Sequence, residues 1–246
     1  MDSTLSKGLA VLEALLAARG SKGVTVLARD LSLTKSNTFR LLQTLNALGY
    51  VKRLEDKTYA PTLKTWRIGR ALIENLNLRE LAGPEMRHLS QETGETVYLA
   101  VPENLSVIYI EKIDSRKPIR SWNDVGGAAP IHCVGTGKAI LAANYDRLRD
   151  QLAGNLTRHT ERTLTSLARL DADIAATRAR GYALDTGEFR ERILSFGAPI
   201  LLPDGVAVGA IGISLPDVNL PVDGEDRIGA LVSGAADSVS TKLQQG

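Results

Sequence analysis

The chain has 246 residues, enough for two domains, and its 43% hydrophobic and 24% charged content is typical of globular proteins. It has no apolar run of the roughly 18 residues that a membrane helix needs, no secretory signal and a single cysteine, Cys133, so we expect a cytoplasmic protein without disulfides or membrane contacts. Residues 1–78 carry twelve Lys or Arg and six Asp or Glu, whereas the rest carries 18 and 22, and a basic first third favours a nucleic-acid-binding module.

Three helices and a hairpin are predicted in the first third of the chain. Apolar residues at helical spacing predict helices over residues 5–18, 24–31 and 34–48. The segments 50–54 and 58–61 flank a polar turn and predict a short hairpin. Residues 63–78 have a broad apolar face, which predicts a linker helix between a domain of residues 1–62 and a second of residues 79–246.

The second domain mixes helices and strands in its pattern. Helices are predicted from residue 79 to about 92, from 137 to about 143, from about 167 to 180, and from 226 to 243. Strands are predicted over residues 96–101, 107–113, 119–122, 182–185, 193–201 and 206–215. Because the strands alternate with helices and the sheet reads as antiparallel, the predicted fold class is α+β.

The segment 24–45 has the pattern of a helix-turn-helix. Ala28 supplies the small residue where two helices cross, and Ser32 stands near the place where the turn usually has glycine. The second helix has an inward stripe at i, i+3, i+4 spacing, formed by Thr38, Leu41, Leu42, Leu45 and Leu48. This pattern predicts that the helix over residues 34–48 is a recognition helix.

The side chains that face away from this stripe have the chemistry of DNA binding. Near the N-terminus of the recognition helix they are Lys35, Ser36, Asn37 and Arg40. Asn and Arg bond to adenine and guanine edges in the major groove, and Lys suits phosphate.

The hairpin carries Lys52, Arg53 and Lys57 on or beside its turn, as a wing along the DNA backbone or minor groove would. The predicted partner is therefore double-stranded operator DNA. The alternative is a winged helix used for protein contacts.

No catalytic or metal site is predicted, and no cofactor. Three histidines and one cysteine show no metal spacing, and no nucleophile elbow or dinucleotide fingerprint is present. His132 and Cys133 are adjacent and would point to opposite faces of an extended segment, which does not suit a nucleophile pair. Cys133 is either a redox sensor or a small buried apolar side chain.

The sequence resembles the isocitrate lyase regulator (IclR) family of bacterial transcription factors over essentially its whole length. The resemblance is carried by SKGLAVLE at 6–13, PIHCVGTGKAILA at 130–142, RARGYALD at 178–185 and API at 198–200. It implies a GAF-like effector-binding domain, a homodimer or homotetramer built partly on the linker helix, and a small organic effector, commonly a carboxylic acid and in some members an aromatic one. Control of operator affinity by the effector, with repression as the expected direction, is also implied.

The resemblance also implies a set of effector contacts, which are Gly135, Thr136, Asp185, Ser195, Gly212 and Ser214. Asp185 could instead cap a turn. Family members often have glycine and then cysteine where this chain has Arg192 and Ser195, and Arg192 could enter the pocket or point away from it.

The residues themselves favour an anionic ligand in this region. The segment Gly135, Thr136, Gly137 precedes a predicted helix, whose free N–H groups and positive dipole end favour a carboxylate. Lys138 is expected to face solvent, although it could add charge to the site. Trp122, Leu99 and Ile211 are candidate apolar walls, although packing in the core is the default interpretation of all three.

Overall fold

The computed structural model describes residues 3–18, 20–68, 78–121 and 123–245. The chain divides into two compact units, residues 1–75 and 76–246. Residues 64–68 are helical, whereas residues 69–77 of the predicted linker helix, and Trp122, lie outside the described residues.

In the N-terminal unit, three helices and a two-stranded hairpin precede the helical residues 64–68, as predicted. Its core joins the apolar stripes of the helices to one residue from each strand, Val51 and Tyr59. Such stripes are buried only when they face one another, which fixes how the helices cross. The elements are α1 (Ser3–Ala17), α2 (Val24–Asp30), α3 (Lys35–Ala47), β1 (Val51–Arg53) and β2 (Tyr59–Pro61).

The turn between α2 and α3 has the geometry that the pattern predicts. Ser32 has a φ of 53°, in the left-handed region that favours glycine. The Leu33 N–H donates to the carbonyl of Ala28 at 2.8 Å and closes the end of α2. Thr34 caps α3, because its hydroxyl accepts from the Asn37 N–H at 3.2 Å.

The inward stripe of α3 is shorter than predicted. Thr38, Leu41 and Leu42 are buried, but Leu48 is 54% exposed. The prediction for Leu48 is wrong because α3 ends at Ala47 and the chain turns away at Gly49, whose φ is 76°.

The C-terminal unit is built on one six-stranded sheet, in the order β5-β4-β3-β8-β7-β6, with every neighbouring pair antiparallel. This confirms the α+β class and the antiparallel sheet. The strands are β3 (Thr96–Glu103), β4 (Ser106–Ile113), β5 (Ala128–Pro130), β6 (Ala183–Asp185), β7 (Ile193–Leu201) and β8 (Ala207–Pro216). The helices are α4 (Leu78–Thr93), α5 (Gly135–Leu152), α6 (Leu167–Arg180) and α7 (Gly224–Gln245).

Helices cover both faces of this sheet. Alternate strand residues such as Leu99 and Ile211 pack with α4 and α7, whereas their neighbours Tyr98 and Ala210 pack with α5 and α6. This is the period of two that a strand imposes. Each face of the sheet is thus covered by one pair of helices. Gly212 and Ser214 lie on the face that α5 covers.

In this unit one predicted strand is absent from the described residues, one strand was not predicted, and one helix starts earlier than predicted. Residues 119–121 form no strand, whereas residues 128–130 form β5, which was not predicted. Helix α5 starts at Gly135, two residues earlier than expected, because its glycines join the first turn rather than a loop before it. Among the described residues, no helix combines the length and apolar character that crossing a membrane requires.

Candidate functional site

The predicted recognition residues lie together at the start of α3. Lys35, Ser36 and Arg40 are exposed, and Asn37 is half-buried, with its backbone N–H bonded to the Thr34 cap. Ser36 and Arg40 are four residues apart and therefore share a face of the helix. The N-terminal turn of α3 thus presents one hydroxyl, one amide and two cationic side chains to the outside of the unit.

Two further residues on the same exposed side were missed by the sequence analysis. Phe39 is 39% exposed and Gln43 is exposed, and Gln43 lies three residues after Arg40. The helical spacing from Ser36 through Arg40 to residue 43 was the signal that could have identified Gln43.

The wing is a tight hairpin with a cation at its tip. Lys57 lies in the turn with a φ of 66°, and its N–H donates to the Leu54 carbonyl at 3.0 Å. Asp56 fixes the same turn by accepting from the Thr58 hydroxyl at 2.6 Å. Lys57 is therefore held on an ordered turn.

The two basic residues of β1 do not share one surface. Lys52 and Arg53 are both exposed, but successive strand residues point to opposite faces. Lys52 lines a groove with Leu16 and Trp66. Lys52 and Arg53 are therefore not expected to contact one surface together.

The predicted effector residues meet around one cavity on the α5 face of the sheet. Thr136, Asp185, Ser195, Gly212 and Ser214 all line it. Gly135 lies directly behind it, since its N–H donates to the Ser195 hydroxyl at 2.9 Å. The remaining lining residues were missed: Tyr98, Tyr109, Ser121, Asn123, Val134, Phe189, Arg190, Ile193, Phe196 and Ile213.

A hydrogen-bonded chain runs from the start of α5 to the end of β6. The Ser195 hydroxyl accepts from Gly135 and donates to Asp185 Oδ2 at 2.8 Å. Asp185 Oδ1 accepts the N–H groups of Gly187 at 2.9 Å and Glu188 at 2.6 Å. Asp185 therefore does cap a turn, and it also lines the cavity.

Burial raises the pKa of Asp185 to about 6.

Close packing brings α5 onto the sheet at this point. A Cβ atom added at Gly197 would overlap the backbone of Gly135, and one at Gly212 would overlap the Phe196 carbonyl and the Thr136 methyl group. Glycine at both strand positions therefore lets the first turn of α5 lie against β7 and β8. This contact places the N–H groups of the first helical turn beside the cavity.

Lys138 does not face solvent, contrary to the prediction. Its side chain is fully buried, and its ammonium lies 2.8 Å from Glu188, 3.0 Å from Asp173 and 2.6 Å from the Leu184 carbonyl. Burial raises the pKa of Glu188 to about 7. This buried ion cluster ties α5 and α6 to the turn after β6.

Two of the three candidate apolar walls pack in the core instead, which was the default interpretation. Leu99 and Ile211 are buried on the opposite face of the sheet, among residues of α4 and α7. Tyr98 and Tyr109 line the cavity instead, with ring centroids 4.6 Å apart. The third candidate, Trp122, lies outside the described residues.

Arg192 points away from the cavity. Its guanidinium bonds Asp217 at 3.2 Å, and its side chain is 72% exposed. The cation that lines the cavity is Arg190, two residues earlier. Its guanidinium lies 5.5 Å from the centre of the Phe189 ring.

Neither His132 nor Cys133 lies on an extended segment, because residues 131–134 form a turn. His132 Nε2 lies 3.2 Å from the Thr157 carbonyl, and the Cys133 thiol lies 3.9 Å from the Pro130 carbonyl. Burial raises the pKa of the Cys133 thiol, which keeps it protonated and unreactive. A redox role for Cys133 is therefore not supported. No group of three metal-ligating side chains occurs within the described part of the chain.

Comparisons with known proteins agree with these two units. The IclR helix-turn-helix domain matches residues 4–55, and the bacterial transcriptional regulator IclR C-terminal domain matches residues 70–241. The regulator KdgR of Escherichia coli is 32% identical across 98% of this chain and 92% of its own. The transcriptional repressor IclR of E. coli is 32% identical across 96% and 88%.

A solved structure shares the fold over the full length. It is an IclR homolog from Microbacterium hydrocarbonoxydans, complexed with 4-hydroxybenzoate, with a TM-score of 0.85, 23% identity, and coverage of 99% of this chain and 100% of that chain. The family consists of transcriptional regulators that bind DNA through the helix-turn-helix, and not of enzymes. The chain belongs to the IclR family of bacterial transcriptional regulators.

Proposed function

We propose that the protein represses transcription by binding a specific operator and that a small carboxylate effector in the C-terminal unit controls its operator affinity. The main support for an effector site is that separate segments of the chain meet at one cavity. Residues from α5, β6, β7 and β8, far apart in the sequence, line one cavity. Repression is supported by the similarity to a transcriptional repressor, and a carboxylate by the 4-hydroxybenzoate complex of a protein with the same fold.

The DNA contacts we propose are Lys35, Ser36, Asn37 and Arg40 on α3 and Arg53 and Lys57 on the wing, with Lys52 facing the other side of the hairpin. A homodimer or homotetramer would place two recognition helices on a pseudo-palindromic site, with half-sites one or more helical turns apart. The basic balance of residues 1–78 supports this assignment, because phosphate contacts dominate the affinity for DNA.

Effector control requires that the ligand bind one arrangement of the protein better than another. A coupling of about 1–3 kcal/mol would change operator affinity about 5- to 150-fold. We propose that residues 63–78 carry this coupling as a linker helix between residues 1–62 and 79–246.

The experiment is release of a preformed complex. Labelled DNA from upstream of the protein's own gene is bound to the protein, and small carboxylic acids are titrated in while fluorescence anisotropy is followed. We expect one class of acid to release the DNA from the wild type. Ser214→Ala should bind the DNA equally well but require a higher concentration of acid, because it removes a hydroxyl that lines the cavity.

The matched control is Ser233→Ala, which changes a serine of α7 whose hydroxyl bonds the Gly181 carbonyl and does not line the cavity. It should respond as the wild type does. An unchanged response in Ser214→Ala would remove that residue from the site, and a complex that no acid affects would contradict effector control.

A further inference from the structure

One large apolar side chain of the recognition helix α3 is not part of the core. Leu41 and Leu42, on the inner side of the helix, are 7% and 0% exposed, whereas Phe39 is 39% exposed. Burying an aromatic ring against a partner is favourable, so a ring that the folded unit leaves in water is available for a contact. The DNA contacts proposed above are all polar or cationic, and they leave Phe39 without a role.

The position of Phe39 matters more than its exposure, because single exposed apolar residues are common on protein surfaces. Helical spacing places it beside Lys35 and Ser36 in the preceding turn and beside Gln43 in the following turn. All three of these neighbours are exposed, and so is the adjacent Arg40. Phe39 is therefore surrounded by side chains that form hydrogen bonds, on the part of α3 that is proposed to face DNA.

The other exposed apolar residues of this unit lie along two grooves beside α1. One groove includes Leu9 and Leu48. The other includes Leu16 and Trp66. Phe39 lines neither of them, so its ring is separate from the apolar surface of α1 and belongs to the recognition helix alone.

The major groove of DNA offers a matching apolar group. Base edges there present hydrogen-bond donors and acceptors, and the C5-methyl group of thymine is the one apolar group among them. An aromatic ring placed against a polar base edge would remove water without replacing its hydrogen bonds, which costs free energy. Against the methyl group of thymine, the same ring gains free energy because apolar surface is buried on both sides.

We propose that Phe39 is a specificity-determining residue that packs on the methyl group of a thymine in each operator half-site; this rests on the operator binding by α3 proposed above. Phe39 and Arg40 are adjacent, with Cα atoms about 3.8 Å apart, and successive bases of a DNA strand are about 3.4 Å apart. The thymine therefore lies within about two base pairs of the base that Arg40 contacts. An apolar contact and a hydrogen-bonded contact thus read neighbouring positions of the half-site.

The test removes the methyl group from the DNA and the ring from the protein. Uracil lacks the methyl group of thymine and pairs with adenine in the same way. DNA from upstream of the protein's own gene is prepared with thymine or with uracil, and its binding to the full-length protein is followed by fluorescence anisotropy. We expect the wild type to bind the uracil DNA about threefold or more weakly for each contacted methyl group.

Phe39→Ala should bind the thymine DNA more weakly than the wild type does. It should also reduce the affinity ratio between thymine and uracil DNA by about threefold or more, because a pairwise contact is lost only once in a double-mutant cycle. Phe39→Leu, which keeps an apolar side chain, should retain more of this ratio than Phe39→Ala.

Val26→Ala is the matched control, because Val26 is 38% exposed but lies on α2. It should keep the full ratio between thymine and uracil DNA. Single uracils, placed at one thymine of the upstream DNA at a time, then locate the contact for the wild type. The sensitive thymine should lie within about two base pairs of the position at which Arg40→Ala relaxes specificity.

Three results would overturn the inference. They are equal binding of the wild type to thymine and uracil DNA, an undiminished ratio in Phe39→Ala, or an equal reduction of the ratio in Val26→Ala. Scrambled thymine DNA separates this failure from failure of the proposed function. If the wild type prefers the upstream DNA to scrambled DNA and any of the three results is obtained, only the role of Phe39 is wrong. If the wild type binds upstream and scrambled DNA equally, the proposed operator recognition is wrong.

Discussion

Ser195 shows why single residues of the site could be predicted while their roles could not. The resemblance to the IclR family placed Ser195 among the effector contacts, and the structure places it on the cavity. Its hydrogen bonds to Gly135 and Asp185 join residues 60 and 10 positions away. Partners at such separations follow from the sheet register, which a pattern in one sequence does not contain.

Lys138 shows that the partners of a charged side chain also could not be predicted from the sequence. A lysine in the first turn of a helix is expected to face solvent, and its partner Glu188 lies 50 residues later in the chain. The prediction was wrong because tertiary packing supplies two carboxylates and one carbonyl at the ammonium. Buried charges of this kind are stable only when they are paired.

Arg40→Ala tests the recognition helix at the level of one side chain. We expect a loss of about 1–3 kcal/mol in binding to the operator and a much smaller loss on scrambled DNA, because a base contact carries specificity. Lys57→Ala is the comparison. It should weaken binding to both DNAs alike, and it should lower the slope of log affinity against log salt concentration by about one. Equal losses on the two DNAs for Arg40→Ala, measured by anisotropy, would make Arg40 a phosphate contact.

Gly197→Ala tests the close approach of α5 to the sheet. The added methyl group would overlap the Gly135 backbone, so we expect a destabilisation of about 1–3 kcal/mol or more in denaturant unfolding. Gly234→Ala in α7 is the control, because its Cβ meets no atom within 4 Å and alanine favours helix. Gly197→Ala with wild-type stability would show that α5 does not depend on this contact.

At the scale of secondary structure, elements with a clear pattern of apolar residues were predicted, and short or irregular elements were not. The apolar faces of α4 and α7 and the continuous apolar run of β3 are visible in the sequence, and these elements were placed correctly. Strand β5 has three residues, Ala128–Pro130, which is too short for any alternation to show. The segment 119–121 has strand-like composition but no pairing partner, and pairing is what makes a strand.

The ion cluster that ties α5, α6 and the turn after β6 predicts how stability depends on pH. Glu188 has its pKa raised from 4.5 to about 7 in the folded chain, so between these values the folded protein holds a proton that the unfolded chain lacks. That proton stabilises the fold at the lower pH, and its contribution is lost as the pH rises through about 7. Asp185, raised from 3.8 to about 6, acts in the same direction.

Glu188→Gln isolates this effect. His132, whose pKa burial lowers, acts in the opposite sense below pH 6.5, so the wild type and variant must be compared at each pH. We expect the free energy of unfolding of the wild type, relative to Glu188→Gln, to fall as the pH rises from about 4.5 to 7, by up to about 1.4 kcal/mol per unit, and to level off above that. Parallel profiles for the two proteins in urea unfolding would contradict the assignment.

At the scale of the whole molecule, the charge asymmetry, the order of the domains and the family could all be predicted from the sequence. The separation of a basic first third from an acidic remainder predicted a DNA-binding module, and the family assignment agrees with it. The coupling proposed between the units could not be predicted from the sequence in any detail, because no motif of a single sequence specifies how two domains influence each other.

The central claim is that this regulator recognises one operator, and anisotropy across a salt series tests it most directly. The purified protein is titrated onto DNA flanking its own gene and onto scrambled DNA of the same length. We predict binding to the native fragment that is about a thousandfold tighter or more, with both affinities falling steeply as salt increases. Equal binding to the two fragments at every salt concentration, with or without acids present, would contradict the account.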